Sequence, residues 1–281
     1  MSQMSFGPAP WRQTHWDARA AGNFISGGAG AGLIAFGAIS GADRATLTWL
    51  VAGGLVLVGL GLTCVWFEIG RPLRALNVFL NPRTSWMSRE AFTATLLFPV
   101  GVAVAIGVPG AQWAAAALAL NFVYCQGRML QAAKGIPAWR EGLVTPLIVM
   151  TGLTEGAGLF LFASALHGVG TLLLPAIFGA LVIGRIVLWH AYRRKLPAAA
   201  EATAALDATG RVLQIAGTLL PLSLLVLIAF GGLDGTMVAA AAMAGLVAAA
   251  AGAHLKFTLV TRAGFNQGFA IAHLPVRGAR F

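Results

Sequence analysis

The amino-acid sequence predicts an all-α fold, an integral membrane bundle of eight transmembrane helices that forms a single domain over residues 1–281. The mean hydropathy is +0.80 and only 10% of the 281 residues are charged, which is too apolar for one soluble core. Several apolar runs approach the twenty residues that a helix needs to cross a bilayer. Because these runs lack the period-two alternation of a membrane barrel, we expect helices.

The limits of the apolar runs predict where each span lies. The predicted spans lie near 22–42, 46–67, 91–109, 112–130, 143–166, 170–192, 211–231 and 236–260. Only Val108, Pro109, Gly110 and Ala111 separate the third span from the fourth. If that separation failed, seven spans would place the two termini on opposite sides of the membrane.

The basic residues predict the orientation. With eight spans, one face receives seventeen of the nineteen Lys and Arg residues, Lys256 among them, whereas the other face receives only Arg44 and Arg185 falls inside a span. The positive-inside rule then places both termini in the cytoplasm of a multi-pass inner-membrane protein. This topology explains the net charge of +10 without nucleic-acid binding.

Other segments carry weaker signals. The N-terminus lacks the layout of a cleaved signal peptide, so the first span is expected to be retained. Gly28 and Gly32 form a G-x-x-x-G that allows a close helix contact. The piece LPAAAEATAALDATG indicates a short interfacial helix that ends before Gly210. Cys64 and Cys125 cannot hold an iron–sulfur cluster, so no metal site is expected on this chain.

A charged and aromatic island, EIGRPLRALNVFLNPRTSWMSRE at 68–90, connects the second and third spans. Its two ends are Glu68 and Glu90, which would lie at one membrane interface and could exchange protons. Arg71, Arg74 and Arg89 could donate hydrogen bonds to a quinone head, and Trp86 could stack on its ring. The alternative is an interfacial loop whose arginines reach for lipid headgroups and whose indole joins the aromatic belt.

The segment GRPLRALNVFLNPRTSWMSRE, with the preceding Glu68, resembles the DmsC and NrfD type membrane anchors of molybdopterin oxidoreductases. A weaker similarity covers Trp16 to Gly32, and the tail RAGFNQGFAIAHLPVRG is most similar to anchors of the phenylacetyl-CoA:acceptor oxidoreductase group. The resemblance implies bound menaquinone or ubiquinone, with Glu90 as the acid tied to quinol and Glu68 at the place of a His. The further quinone-site residues expected within the matched segments are Trp16, Asn23, Arg71, Arg74, Trp86, Ser88 and Arg89. His15, beside Trp16, is expected at the membrane interface, at the rim of the quinone site.

The same resemblance implies partners. An iron–sulfur subunit would dock on the membrane and connect this chain to a catalytic subunit that carries molybdopterin. Since the proposed site and the basic loops share a face, we expect docking from the cytoplasm and electron flow toward quinone. A passive anchor without quinone is the alternative within this class.

Two charges lie within the predicted hydrocarbon region, Glu155 in the fifth span and Arg185 in the sixth. Unpaired, each would cost about 3 kcal/mol on insertion scales, so a pair or a polar cavity is expected. The residues could form part of a proton path or fix helix packing. A secondary transporter or proton-translocating channel that uses them is the rival function. His190 and His254 could in principle ligate a haem, but no haem is expected because the resembled family generally lacks one.

Overall fold

The computed structural model describes residues 10–68, 72–167, 173–196, 200–231 and 235–266. Within these ranges the chain is helical, without a strand; one isolated bridge pairs Arg12 of the N-terminal arm with Phe265 after the last helix. Eight long helices occupy the described ranges. They are α1 (Ala18–Ile39), α2 (Arg44–Glu68), α3 (Trp86–Ala105), α4 (Ala111–Ala132), α5 (Val144–His167), α6 (Leu173–Lys195), α7 (Ala200–Gln214, Ile215–Leu219 and Leu220–Gly231) and α8 (Gly235–Thr261).

Six of the helices in the described chain, α1, α2, α5, α6, α7 and α8, are long and apolar enough to cross a membrane. The two others, α3 and α4, carry more polar residues: α3 begins with Arg89 and Glu90 in its first turns, and α4 contains Gln126 and Arg128. Six candidate spans are therefore established, whereas a total of eight remains a prediction.

The short turn between α3 and α4 shows why these helices are separate. Gly107 has a φ of +80°, its N–H donates to Val104 O, and the N–H of Val108 donates to Ala103 O. This is the hydrogen-bond pattern of a Schellman motif, in which glycine at the left-handed position ends a helix. The structure therefore confirms that residues 86–105 and 111–132 form two helices.

Glycines bring the central helices into backbone contact, as the G-x-x-x-G pattern predicts. A Cβ built on Gly32 would stand 2.1 Å from Gly152 O in α5, and one on Gly152 would stand 3.0 Å from Gly28 O. Farther along α5, a Cβ on Gly158 would stand 2.3 Å from Gly245 O in α8. No side chain fits at these crossings, so α1, α5 and α8 pack as one tight unit.

The predicted helix before Gly210 forms, but its predicted end at that glycine is wrong. A single helix runs through 203–230, and Gly210 lies inside it. A Cβ on Gly210 would stand 2.9 Å from the Trp189 ring of α6, so this glycine permits a helix crossing rather than ending a helix. The sequence alone could not distinguish these two uses of glycine.

Candidate functional site

The connection between α2 and α3 folds back onto the start of α3. The Ser85 hydroxyl accepts a hydrogen bond from the N–H of Ser88 at 3.2 Å and thereby caps the helix. The Arg89 guanidinium donates to Pro82 O at 2.9 Å and to Arg83 O at 2.7 Å. These bonds hold the connection in place, so that the first turns of α3 line a space beneath it.

That space is a cavity of about 670 Å³ between α2, the 3-10 segment Pro72–Leu80 and α3. We name it the Glu90 cavity. Its polar side chains are those of Arg74, Asn77, Asn81, Ser85, Ser88, Glu90 and Thr95. Most of the remaining lining is apolar, and Trp66 and Leu76 are exposed on the outside of the protein. A mostly apolar cleft with a few convergent polar groups is typical of a small-molecule site.

Glu90 is 3% exposed and is held from the inner side of the bundle. Its Oε1 accepts a hydrogen bond from Asn23 Nδ2 at 3.1 Å, and Gln126 Nε2 donates to Asn23 O at 2.9 Å. Asn23 begins a π-helical segment, Asn23–Gly27, of a kind often found at functional sites. Asn23 Oδ1 and Gln126 Oε1 are buried acceptors without a donor among the described residues.

A second, small cavity of about 30 Å³ connects Glu90 with Glu68. Trp16, which precedes α1, and Asn23, which lies in α1, also line this space. Both therefore meet the two acids there. Trp16 stacks on Trp139 with ring centroids 5.0 Å apart, and Arg19 donates to Phe67 O at 2.8 Å, which ties the start of α1 to the end of α2. Just outside the membrane segment, the hydrogen bond from Arg19 lowers the pKa of Asp17.

Six of the predicted site residues line one or both of these cavities, and Glu90 lines both. They are Trp16, Asn23, Glu68, Arg74, Ser88 and Glu90. Gln126, which is not among the predicted site residues, donates a further hydrogen bond to the backbone of Asn23. Its only signal in the sequence is a polar residue within a largely apolar run.

Three other predicted residues, Trp86, Arg89 and His15, line neither cavity. The Trp86 ring is covered by the guanidinium groups of Arg89 at 4.1 Å and Arg128 at 4.5 Å, and it is not part of the lining of either cavity. His15 is exposed on the N-terminal arm and likewise lines neither cavity. Trp86 therefore makes cation–π contacts with two guanidinium groups, and its stacking on a ligand stays a prediction. Arg71 lies outside the described residues.

The intramembrane charges form a separate buried charge cluster of Glu155, Lys256 and Arg185. Lys256 Nζ lies 2.6 Å from Glu155 Oε2 and also donates to Phe24 O at 2.8 Å. The Arg185 guanidinium donates to Ala248 O at 2.9 Å and to Gly217 O at 2.6 Å. Phe24 and Gly217 both belong to π-helical segments, Asn23–Gly27 and Ile215–Leu219.

Two expectations about these charges need correction. Lys256, which the charge distribution placed among the cytoplasmic loop residues, is fully buried inside α8. The acid Glu155 is paired with Lys256, whereas Arg185 bonds backbone carbonyls and is only a neighbour. A Cβ on Gly252 would stand 2.8 Å from Glu155 Oε1 and 3.0 Å from Arg185 Nη1, so glycine leaves room for both side chains.

The candidate haem ligands make other contacts. His190 Nε2 lies 3.4 Å from Gln214 Nε2, and His254 Nε2 lies 3.3 Å from the Thr209 hydroxyl. Across the described ranges, three or more His, Cys, Asp or Glu side chains nowhere gather as a metal site would require. The expectation of a chain without haem or metal remains a prediction.

A helical bundle with six candidate membrane spans in the described ranges, and a mostly apolar cavity with a few polar groups beside α2 and α3, defines a multi-pass integral membrane protein. Residues 18–230, more than half of the chain, match the DMSO reductase anchor subunit (DmsC) family, and the chain belongs to that family. No curated protein sequence matches it. The protein is thus the membrane anchor of an oxidoreductase complex of the DMSO reductase type, and the family implies catalytic and iron–sulfur subunits as partners.

Proposed function

We propose that this chain exchanges electrons between an iron–sulfur partner and a quinone of the membrane pool, and that the Glu90 cavity is the quinone site. The observation that carries the proposal is a buried carboxyl group in the wall of a 670 Å³, mostly apolar cavity that opens among exposed apolar side chains. A menaquinone or ubiquinone has matching chemistry, a polar ring with two carbonyl oxygens on an apolar tail.

The residues of the cavity have separate roles in this proposal. Arg74 and Ser88 donate hydrogen bonds to quinone oxygens, and Glu90 delivers protons as electrons arrive from the partner. Complete reduction takes two electrons and two protons and yields the quinol. Glu68, which shares the small cavity with Glu90, passes protons from the membrane surface to it. Trp66 and Leu76 form an apolar entrance for the isoprenoid tail.

A cavity-filling substitution tests whether quinone occupies this space. Ala91 lines the Glu90 cavity, so Ala91→Trp is expected to remove quinone that co-purifies with the chain. Val102→Trp is the matched control, because it adds the same ring to an exposed position of the same helix. Quinone extracted from each purified variant is quantified by chromatography. An equal quinone content in both variants and the wild type would reject this cavity as the site.

The orientation is a further part of the proposal. With α3 and α4 counted as spans, the chain crosses the inner membrane eight times. Both termini and the 68–90 connection then face the cytoplasm. The partner then docks from the cytoplasm, as in a cytoplasm-facing enzyme such as a phenylacetyl-CoA oxidoreductase, and electrons flow toward quinone. In spheroplasts, external protease is expected to leave a C-terminal epitope intact; cleavage there contradicts this orientation.

A transporter or proton channel built on Glu155 and Arg185 is the second candidate function. The observation in its favour is the buried Glu155–Lys256 pair, since ionisable groups inside a membrane often mark ion pathways. However, Arg185 and Lys256 also donate hydrogen bonds to three backbone carbonyls of neighbouring helices. These bonds hold the two cations in place and favour a role in helix packing.

A further inference from the structure

A third pocket, apart from the Glu90 cavity and the buried charge cluster, lies between α6 and α7. It has a volume of about 390 Å³, and basic side chains surround it. Helix α6 ends at Lys195 and α7 begins at Ala200, and the pocket lies between the last two turns of α6 and residues 207–214 of α7. We name it the basic pocket; its charged and aromatic lining residues are Trp189, His190, Arg193, Arg194, Asp207 and Arg211.

Two of its three guanidinium groups are not neutralised within the pocket. Asp207 forms an ion pair with Arg193 that joins the two helices. Among the residues that the structure describes, no acid pairs with Arg194 or Arg211, which are both exposed, so the pocket carries two uncompensated positive charges. The two helices are in contact beside these charges, where Gly210 of α7 packs against the Trp189 ring of α6.

Exposed apolar side chains continue from the pocket along both helices. On α6, Ile183 and Val187 precede His190 and Arg194 at spacings of four, three and four residues, which is one face of a helix. On α7, Arg211 is followed by exposed Val212, Ile215 and Leu219. Since the helices are antiparallel, the exposed apolar residues of both helices continue from the pocket in the same direction, away from the connection. A phospholipid has the same arrangement, a charged headgroup followed by apolar acyl chains.

We propose that the basic pocket binds an anionic phospholipid, with Arg194 and Arg211 on its phosphate and the acyl chains along the exposed apolar side chains of α6 and α7. Arginine forms paired, charge-assisted hydrogen bonds with phosphate oxygens, and basic pockets between membrane helices are known headgroup sites. A free phosphate ion would use the same guanidinium groups. It would make no use of the apolar residues that continue from them.

The test measures phosphatidylglycerol binding to the full-length chain, purified and delipidated in neutral detergent, by native mass spectrometry. Wild-type protein is expected to prefer phosphatidylglycerol to phosphatidylcholine. Each Arg near the surface contributes about a fivefold effect, so Arg194→Gln/Arg211→Gln should weaken phosphatidylglycerol binding about 25-fold. The control, Arg83→Gln/Lys134→Gln, removes two exposed charges elsewhere and should bind as wild type does.

Two results would overturn the proposal. One is equal phosphatidylglycerol binding by the Arg194/Arg211 variant and the control. The other is inorganic phosphate displacing the lipid at matched concentration, which would assign the pocket to a free phosphate. Both readouts are independent of quinone, because the basic pocket and the Glu90 cavity have no lining residue in common.

Discussion

Replacement of Glu90 by Gln in the intact complex is expected to lower the rate of quinone reduction about 100-fold, because a positioned proton donor contributes about 10²–10⁴-fold to such a step. Gln keeps the size of the side chain and can still contact Asn23, but it cannot release a proton. The measurement is quinone reduction by membranes that contain the whole complex. Reduction of a water-soluble dye by the catalytic and iron–sulfur subunits should remain unchanged.

Glu141→Gln is the matched control for this substitution. It makes the same chemical change at a half-buried acid on another connection, outside both cavities, and should leave quinone reduction intact. Glu68→Gln should show an intermediate loss, because Glu68 shares the small cavity but does not line the larger one. Undiminished quinone reduction by Glu90→Gln would instead favour a passive anchor.

Replacement of Lys256 by Met is expected to destabilise the chain by about 3–5 kcal/mol, the usual cost of leaving a buried charge without its partner. The substitution removes the cation 2.6 Å from Glu155 and the donor to Phe24 O, in a place that water does not reach. The thermal unfolding midpoint of the full-length chain in detergent measures the effect. Lys134→Met, at an exposed position, serves as the control.

A double variant separates the loss of the pair from the loss of the lysine itself. Lys256→Met/Glu155→Gln should recover much of the stability, since a buried pair contributes less than a single unpaired charge costs. A double variant as unstable as Lys256→Met would contradict this explanation. In the complex, Glu155→Gln with unchanged turnover and pH dependence would exclude a proton path through this residue.

Helix positions follow the sequence closely because each apolar run has one stable state in a bilayer. The predicted spans near 46–67 and 236–260 correspond to α2 and α8, whose bounds differ by one or two residues. The predicted turn at Val108 to Ala111 also forms. Glu68 and Glu90 could be predicted together as site residues because they are the two ends of one polar connection. The local sequence shows such a connection directly.

Partners across the bundle could not be selected in this way. Lys256 follows Glu155 by about a hundred residues and Gln126 follows Asn23 by a similar number, so only helix packing brings each pair together. Trp86 was expected to face a ligand, but its ring contacts the guanidinium groups of Arg89 and Arg128, and the latter belongs to the next helix.

The sequence by itself determined the class of the protein, its apolar helices and the polar connection that lines the Glu90 cavity, because hydropathy and short motifs act locally along the chain. The tertiary structure alone decided which charges are buried together and where cavities form between helices. Hydropathy does not specify which faces of two helices meet. In this protein, backbone contact at glycines such as Gly158 packs α5 against α8, the two helices that carry Glu155 and Lys256.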